Sequence, residues 1–332
     1  MKKIFSSKLK EGNHIRIIAP SRSLALISPE VRTIALGRFA EMGFEVSFSK
    51  HCEEKDNFNS SSISSRIKDL HEAFRDPSIN AIFAVIGGYN SNQLLGSIDY
   101  ELIRTNPKIL CGYSDITALS NAIFAKTGLV GYSGPHFSTF GMKKYFDYIA
   151  EYFEKCVMHD GPFKIKPSKE WSEDRWYQDQ ENRVLKENPG WLAVQFGSAE
   201  GTIIGGNLCT FNLLNGTQYM PPLDGAILFL EDDDMYQEGE FPADFDRNLQ
   251  SLIHQTGFEK VRGIVLGRFQ SSSNMTDDMI RKIIETKAEL QGMPILANVD
   301  FGHTNPLITF PIGGTVKVVV SDSGNRIEIL EH

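Results

Sequence analysis

The stretch KILCGYSDITAL, residues 108–119, decides the fold of the N-terminal half, because an apolar strand runs directly into a helix there. The same alternation precedes it: the apolar runs HIRIIAP (14–20), FEVSFS (44–49) and AIFAVIGG (81–88) are separated by stretches of helical length. Strands that alternate with helices need crossover connections, and these produce a parallel sheet with helices on both faces. We therefore expect a doubly wound α/β fold.

The predicted elements give three regions. Helices are expected at 29–42, 61–76, 91–104 and 115–128, with a further strand at 129–134. Residues 159–200 interrupt this pattern, because they are polar and hold three prolines and all three tryptophans. After them, apolar runs and helical stretches resume, and a strand hairpin with its turn at 322–325 ends the chain. We predict an N-terminal α/β domain (1–158), a structured inter-domain loop (159–200) and a smaller, β-rich C-terminal α/β domain (201–332).

Composition excludes several classes of protein. The chain has 332 residues and a formal net charge of −8, which disfavours binding to nucleic acid. It contains no apolar run of membrane-spanning length and no apolar segment typical of a signal peptide. Its four cysteines are far apart, which fits reduced thiols better than disulfides or a zinc site. We expect a cytoplasmic protein with neither a nucleic-acid nor a membrane partner.

The turn around Ser114 is the strongest candidate for chemistry. A serine between a strand and a helix presents its hydroxyl at the carboxyl edge of the sheet, where α/β folds bind ligands. The arrangement is similar to a nucleophile elbow, although Ile116 stands where that motif has glycine. The alternative is that Ser114 or Asp115 only caps the following helix, which is a common role for both residue types.

Paired glycines at the end of a neighbouring predicted strand favour the catalytic interpretation. Gly87 and Gly88, followed by Tyr89, allow backbone to approach a ligand closely. The N–H groups of Gly88 and Asp115 would then converge on one oxyanion. A plain tight turn is the alternative.

A nucleophilic serine needs a base, and His303 is the preferred candidate among eight histidines. It follows the apolar strand PILAN in the loop FGHTNP, at a strand's carboxyl end. His136, in SGPH, is the second candidate, and a structural role is possible for either residue. For the orienting acid we choose Glu231, the first polar residue after the apolar strand of GAILFLEDDD. A metal site in this acidic run is the alternative, but the spacing of a calcium loop is absent.

Four segments resemble the LD-carboxypeptidase family of serine peptidases: IRIIAPS, AVIGGYNSNQLL, ILCGYSDITAL and LFLEDDD. GIVLGRF and FGHT add to this resemblance, which extends from about residue 14 to about residue 312. It implies a Ser–His–Glu triad at Ser114, His303 and Glu231, with oxyanion donors at Gly88 and Asp115. It also implies a site between the two domains and a homodimer.

The family has two functional branches, one that trims murein tetrapeptides and one similar to the microcin C self-immunity proteins. The long 159–200 segment and the extended run EDDDMYQEGEFPADFDRNL after the acid favour the second branch. In that branch an inter-domain aromatic residue stacks on adenine. Trp176 is a candidate here, but the sequence does not distinguish it from Trp171, Tyr177 or Trp191.

The main hypothesis is therefore a serine hydrolase that needs no metal or organic cofactor and cleaves an amide in an aminoacyl-nucleotide or a small peptide. Gly87 and Tyr89 are candidate substrate contacts. Arg268, at the end of GIVLGRF, is a candidate anchor for a substrate carboxylate, with structural pairing to acidic residues as its alternative. A two-domain binding protein without catalysis is the hypothesis from a different functional class.

Overall fold

The computed structural model describes residues 2–234 and 239–332. The strands of this part of the chain are His14–Ile18 (β1), Glu45–Phe48 (β2), Ala81–Ala84 (β3), Ile109–Cys111 (β4), Gly131–Ser133 (β5), Phe163–Ile165 (β6), Glu170–Trp171 (β7), Lys186–Glu187 (β8), Leu192–Gln195 (β9), Gly197–Asn207 (β10), Ala226–Glu231 (β11), Gly263–Gly267 (β12), Ile295–Val299 (β13), Phe310–Ile312 (β14), Thr315–Val320 (β15) and Arg326–Glu331 (β16). The α-helices are Pro29–Glu41 (α1), Ile63–Arg75 (α2), Tyr100–Thr105 (α3), Ile116–Thr127 (α4), Asp147–Val157 (α5), Leu208–Asn212 (α6), Phe241–Ile253 (α7) and Asp277–Glu285 (α8). Within these residues, no helix combines the length and the apolar character needed to cross a bilayer.

The N-terminal half forms a six-stranded sheet in the order β14-β5-β4-β3-β1-β2. Its five N-terminal strands are parallel, as the alternating pattern predicts. Strand β3 is buried along its whole length, which fits a sheet covered on both faces. The predicted doubly wound α/β fold is confirmed for this half.

One predicted helix in this half is wrong. The expected helix at 91–104 is a 3₁₀ turn at Ser91–Ser97 followed by α3. The break lies at Asp99, whose side chain accepts a hydrogen bond from the Leu102 N–H at 2.9 Å and so caps a new helix. A capping aspartate favours a helix start over a continuing helix.

The C-terminal half forms an eight-stranded mixed sheet in the order β6-β16-β15-β10-β11-β12-β13-β9. Its centre, β10 to β13, is parallel, and its edges are antiparallel. The predicted terminal hairpin is β15 paired with β16. The carboxyl ends of β11 and β13 face the turn after β4 of the first sheet, because His303, in the loop after β13, contacts both Glu231 at the end of β11 and Ser114 in that turn.

The segment 159–200 is structured, and it adds β6 and β9 to opposite edges of the second sheet. Trp191 packs against the core of that sheet, and Trp176 packs against the core of the first. The Trp171 ring contacts two cations, because the Lys186 ammonium lies 4.7 Å and the Arg268 guanidinium 5.1 Å from its centroid. The tryptophans therefore attach this segment to both halves.

Strand and helix contacts join the two sheets. Strand β14 comes from the C-terminal half but pairs antiparallel with β5 of the first sheet. Helix α4 lies between the sheets, where ten of its twelve residues are buried. On α4, Asn121 exchanges two hydrogen bonds with the backbone of Gly205 in β10, at 2.8 and 3.1 Å. The domain boundaries at 158 and 200 remain a prediction.

Candidate active site

The turn that carries Ser114 has the geometry of a strained elbow. It connects β4 to α4, and Ser114 has a φ of 60°, in the left-handed region that a residue with a side chain rarely adopts. The turn is also crowded, because a Cβ on Gly112 would lie 3.2 Å from the Ala84 side chain. This tight backbone presents the Ser114 hydroxyl at the sheet edge.

Three side chains that are distant in the sequence form one hydrogen-bonded chain. His303 Nε2 is 3.0 Å from Ser114 Oγ, and His303 Nδ1 is 2.7 Å from Glu231 Oε2. Glu231 is the last residue of β11 and is almost fully buried, whereas the His303 side chain keeps 19% exposure. An imidazole held by a buried carboxylate on one nitrogen and facing a hydroxyl on the other is the arrangement that makes serine nucleophilic.

The loop that carries His303 is shaped around Glu231. Gly302 has a φ of 106°, and a Cβ there would lie 2.9 Å from Glu231 Oε2. Further along the loop, the backbone of Asn305 forms two hydrogen bonds with Ser172, at 2.6 and 2.7 Å. The 159–200 segment therefore supports the loop that positions the base.

The charge around His303 controls its protonation. Burial disfavours the charged ring, but Glu231, Asp233 and Asp232 outweigh this effect and raise the pKa of His303 to about 9. The carboxylates therefore favour the protonated ring in the free protein. Only the neutral ring accepts a proton, so a ligand that offsets this negative charge favours the base form.

The side chain of Asp115 is not a helix cap. Its Oδ2 accepts hydrogen bonds from Ser21 Oγ at 2.6 Å and from the N–H groups of Asn90 and Ser91 at 3.0 and 2.9 Å. The capping alternative for this residue is therefore wrong, because its carboxylate is used to fix the loop that follows Gly87 and Gly88.

That fixation brings the glycine loop against the elbow. A Cβ on Gly87 would lie 3.0 Å from Ser114 Oγ and 3.5 Å from the backbone nitrogen of Asp115. Within residues 2–234 and 239–332, the N–H groups of Gly88 and Asp115 donate no hydrogen bond. Neither N–H group is therefore used by another group of the described chain. Their action as an oxyanion hole remains a prediction.

The second candidate base, His136, lies under the elbow. Its Nε2 is 2.9 Å from the Tyr113 carbonyl oxygen, and its ring stacks on the Tyr113 ring at 4.2 Å. Burial lowers the pKa of His136 to about 3. Its contacts support the turn and do not include Ser114, so the structure favours a supporting role.

The candidate substrate contacts lie at different distances from this centre. Arg268 is buried, with Nη2 bonded to Asn188 Oδ1 at 2.7 Å and to the Asn298 carbonyl at 2.9 Å, and it lies 3.8 Å from the Asp300 carboxylate. These contacts favour the structural alternative, with Asp300 as the partner. Tyr89 is 59% exposed and lies under the Arg22 guanidinium, and Trp176 is half-buried beside Tyr177.

Sequence reasoning missed Asn207, Cys209 and the role of Asp232. Asn207 Nδ2 and the Cys209 N–H donate to the two carboxylate oxygens of Asp232, at 3.0 and 3.1 Å. Burial, Glu231 and Asp233 raise the pKa of Asp232 to about 7. A signal existed, because the strand before Asn207 also ends in two glycines.

Among the described residues, the only candidate metal cluster joins Asp232 and Asp233 of the acidic run to Cys209, and the three ligand atoms lie within 4.8 Å of one another. Asp232 is occupied by the hydrogen bonds above, and burial raises the pKa of the Cys209 thiol, which disfavours a metal-binding thiolate. That no metal is needed remains a prediction. The part of the run at 235–238 lies outside the described residues.

Comparisons with known proteins agree on one family. Residues 15–134 match the LD-carboxypeptidase N-terminal domain, and residues 200–318 match the LD-carboxypeptidase C-terminal domain. The chain is 53% identical to YocD of Bacillus subtilis over 99% of its length and the whole of that protein. It is also 33% identical to the microcin C7 self-immunity protein MccF of Escherichia coli, over 87% of this chain and 85% of that protein.

A solved structure has nearly the same fold. The MccF-like protein of Bacillus anthracis superposes with a TM-score of 0.98 at 52% identity, covering 99% of this chain and all of that one.

Proposed function

The chain belongs to the LD-carboxypeptidase family, and from this membership and the site geometry we propose that it is a serine-type amide hydrolase with Ser114 as nucleophile. The observation that carries the proposal is the hydrogen-bonded chain from Ser114 Oγ through His303 to Glu231. A binding protein without catalysis has no need for a strained serine whose hydroxyl faces a carboxylate-held imidazole.

In the first half of the reaction, Ser114 Oγ attacks the carbonyl carbon while its proton passes to His303 Nε2. The negative charge that forms on the carbonyl oxygen is received by the N–H groups of Gly88 and Asp115. Glu231 stabilises the protonated ring through Nδ1. When the C–N bond breaks, the proton on Nε2 moves to the leaving nitrogen, and an ester on Ser114 remains.

In the second half, water takes the place of the leaving group. His303 removes a proton from this water as its oxygen attacks the ester, and the same two N–H groups hold the oxyanion again. The ester bond breaks, and the proton returns to Ser114 Oγ. The acyl group leaves as a carboxylic acid, which ionises at neutral pH.

For the substrate we propose an aminoacyl-nucleotide of the microcin C type, whose hydrolysis would serve self-immunity or detoxification. The similarity to MccF supports this choice, and MccF has been solved in complex with aspartyl sulfamoyl adenosine. Within residues 159–200, the Trp171 ring contacts two cations, and Trp191 packs against the apolar cluster of the second sheet. Trp176, half-buried next to the exposed Tyr177, is therefore our candidate for stacking on the base.

A murein tetrapeptide is the second candidate substrate. The chain is 26% identical to the murein tetrapeptide carboxypeptidase of Pseudomonas aeruginosa over 94% of both chains. Values of kcat/KM measured side by side on an L,D-tetrapeptide and on aspartyl sulfamoyl adenosine decide between the two, and we expect the second to be larger. We also propose that the protein acts in the cytoplasm as a homodimer.

The nucleophile is tested by Ser114→Ala. We expect this variant to lose labelling by a fluorophosphonate and to lose amide hydrolysis by at least about 1000-fold, because the alcohol that forms the ester is gone. Ser198→Ala, at an exposed serine of β10, is the matched control and should behave as the wild type. A folded Ser114→Ala protein that keeps more than a few per cent of activity would contradict the proposal.

A further inference from the structure

Asp300 is a buried carboxylate in the loop that carries the proposed catalytic base. It comes directly after β13, and its side chain is 1% exposed. Its Oδ1 accepts hydrogen bonds from Ser168 Oγ at 2.7 Å and from Asn188 Nδ2 at 3.2 Å. Its Oδ2 accepts from the Ser168 N–H at 3.1 Å, and the Trp191 indole nitrogen lies 3.5 Å from it. These partners all belong to the inter-domain segment, residues 159–200, so the carboxylate joins that segment to the loop.

Groups from both halves of the protein complete the surroundings of Asp300. In α5, the Tyr148 hydroxyl shares its proton between the Lys166 carbonyl oxygen at 2.7 Å and Asp300 Oδ2 at 3.3 Å. Burial and the Asp300 charge raise the pKa of Tyr148, so this hydroxyl remains a donor. After β12, Arg268 Nη2 lies 3.8 Å from Asp300 Oδ1 and donates to Asn188 Oδ1 at 2.7 Å. The charge is therefore compensated by one cation and by several directional hydrogen bonds.

The loop between β13 and β14, residues 300–309, which we call the base loop, is attached to the inter-domain segment at two points. Asp300 is the first point. At the second, the backbone of Asn305 exchanges two hydrogen bonds with Ser172 of that segment, at 2.6 and 2.7 Å. His303 lies between the two points, so the position of its ring depends on how the inter-domain segment packs on the base loop.

We propose that Asp300 is a positioning residue, whose carboxylate fixes the inter-domain segment to the base loop and so holds the His303 ring between Ser114 and Glu231. The inference rests on the proposed hydrolase function and adds to it a residue that acts through the base. A displacement of about 1 Å in a catalytic group can cost about 100-fold in rate. Because the inter-domain segment also carries Trp176, the same carboxylate connects the residue proposed to stack on adenine with the imidazole.

A role in stability alone does not explain this polar network. Replacing a buried ionic network by apolar side chains of similar volume is often neutral or stabilising, because the charges no longer have to leave water. A fully satisfied polar network instead specifies one arrangement of the groups that it joins. The arrangement specified here is that of the inter-domain segment on the base loop.

Asp300→Asn tests the proposal, because it keeps the shape of the side chain but replaces an acceptor oxygen by a nitrogen that accepts no hydrogen bond. The probe is a small neutral fluorophosphonate, which needs the triad but no contact with a nucleobase. We expect the rate constant for labelling of Ser114 to fall by about 10- to 100-fold, and kcat on the preferred substrate to fall by a similar factor.

Gln180→Ala is the matched control. Gln180 is also buried in the inter-domain segment, and it fixes that segment to the first half by hydrogen bonds with the Gly141 carbonyl at 2.7 Å and the Lys143 N–H at 3.0 Å. These partners lie far from the base loop in the sequence and belong to a different part of the first half. We therefore expect Gln180→Ala to lower the thermal midpoint but to be labelled at the wild-type rate.

The pH dependence of labelling separates a displaced base from a less stable fold. Burial alone would lower the pKa of His303, and nearby carboxylates raise it above its ordinary value. The titratable groups that face this ring are three carboxylates and two rings: Glu231, Asp232, Asp233, Tyr113 and His136. Labelling should rise with pH as the ring loses its proton. If Asp300→Asn lets the ring move away from the carboxylates, its pKa returns towards the ordinary value, so the midpoint should lie at lower pH than in the wild type.

Ser168→Ala keeps the inference falsifiable if Asp300→Asn does not fold. It removes one donor to the carboxylate and leaves the charge in place. We expect labelling about threefold to tenfold slower than in the wild type, with a midpoint shifted in the same direction. Where Asp300→Asn does fold, adding Ser168→Ala should cause little further loss, because the contact between the two side chains is already broken.

The outcomes separate this inference from the hydrolase proposal. A folded Asp300→Asn protein with the wild-type labelling rate would overturn the positioning role while Ser114 remains the nucleophile. Equal losses in Asp300→Asn and Gln180→Ala, or a loss of rate with an unchanged midpoint, would do the same. If only Ser168→Ala folds, its wild-type rate or midpoint would overturn the role. Absence of Ser114-dependent hydrolysis and labelling in the wild type would instead overturn the proposed function, and the inference with it.

Discussion

The side chain of Asp115 connects two short segments that the catalytic proposal needs to keep together. Its backbone N–H is one proposed oxyanion donor, and its carboxylate holds the loop that contains the other. Ser91 Oγ strengthens this connection by donating to the Asp115 carbonyl oxygen at 2.6 Å. A single residue therefore sets the distance between the two donors.

For Asp115→Ala we expect kcat on the preferred substrate to fall by about 100-fold, because the loop that carries Gly88 loses its anchor. Two backbone N–H groups also lose their acceptor, at a cost of about 1–3 kcal/mol in the free energy of unfolding. Steady-state kinetics and thermal unfolding measure the two effects. Ser21→Ala removes only one of the three contacts to the carboxylate and should have a smaller effect on both. An Asp115→Ala enzyme with wild-type kcat would show that the loop needs no such anchor.

Helix α4 links the nucleophile to the half of the protein that carries the base and the acid. It begins directly after the elbow, and its side chains bond to β10: Asn121 pairs with Gly205, and Thr117 Oγ1 accepts from the Asn207 N–H at 3.0 Å. The close fit is visible at Gly206, where a Cβ would lie 2.4 Å from Thr117 Oγ1. The position of Ser114 relative to His303 is thus fixed by a helix–strand contact.

Asn121→Ala tests this link. The change leaves the N–H and the carbonyl of Gly205 buried without partners, so we expect a loss of about 2–4 kcal/mol in the free energy of unfolding. It also loosens the contact that sets the Ser114–His303 distance, so kcat should fall about 10-fold or more. Lys126→Ala, at an exposed position of the same helix, controls for a general effect on helix stability. A stability loss without any change in kcat would show that α4 does not set the catalytic geometry.

At the level of helices and strands, the sequence predicts what depends on neighbouring residues and misses what depends on distant pairings. The strand before Ser114, the strand before His303 and the terminal hairpin follow from local apolar patterns. Strand β14 pairs with β5 across about half the chain, and β6 and β9 are short edge strands in a polar segment, so no local period marks them. The role of Asp115 is hidden for the same reason, because its partners lie up to 94 residues away.

The candidate triad follows from chemistry that each residue shows locally: a serine at a strand–helix turn, a histidine and a glutamate at strand ends. The contacts of Asp232 do not follow in this way, because they depend on which of the four consecutive acidic residues (231–234) the folded chain buries and hydrogen-bonds. That distinction requires the hydrogen bonds of the folded chain.

Considered as a whole, the molecule has two sheets but a shared interior. One continuous apolar cluster contains Ile82 and Ile123 from the N-terminal half together with Phe229 and Phe310 from the C-terminal half. Strand β14 also places part of the C-terminal chain inside the first sheet. This cluster is therefore shared by the two halves, whereas a second cluster lies almost entirely within residues 9–157.

We expect the full chain to unfold in a single cooperative transition in urea, although proteins with two domains often show two. Tryptophan fluorescence can report on each half. In Trp176→Phe the remaining tryptophans are Trp171 and Trp191, which contact the second half. In the double variant Trp171→Phe, Trp191→Phe the remaining tryptophan is Trp176, which packs on the first half. The two midpoints should coincide with each other and with the loss of far-ultraviolet circular dichroism. Well-separated midpoints would indicate two independently folding units.

The buried position of α4 also restricts how a substrate enters. Because most residues of α4 are buried between the two sheets, this helix cannot act as a hinge. We therefore expect the two halves to keep their relative position when a substrate binds. Substrate entry and product release then depend on the side chains and loops at the opening of the site, while α4 keeps its position. We expect kcat to change when residues at this opening are substituted. We expect it to be independent of solvent viscosity, because no movement of one half against the other is needed.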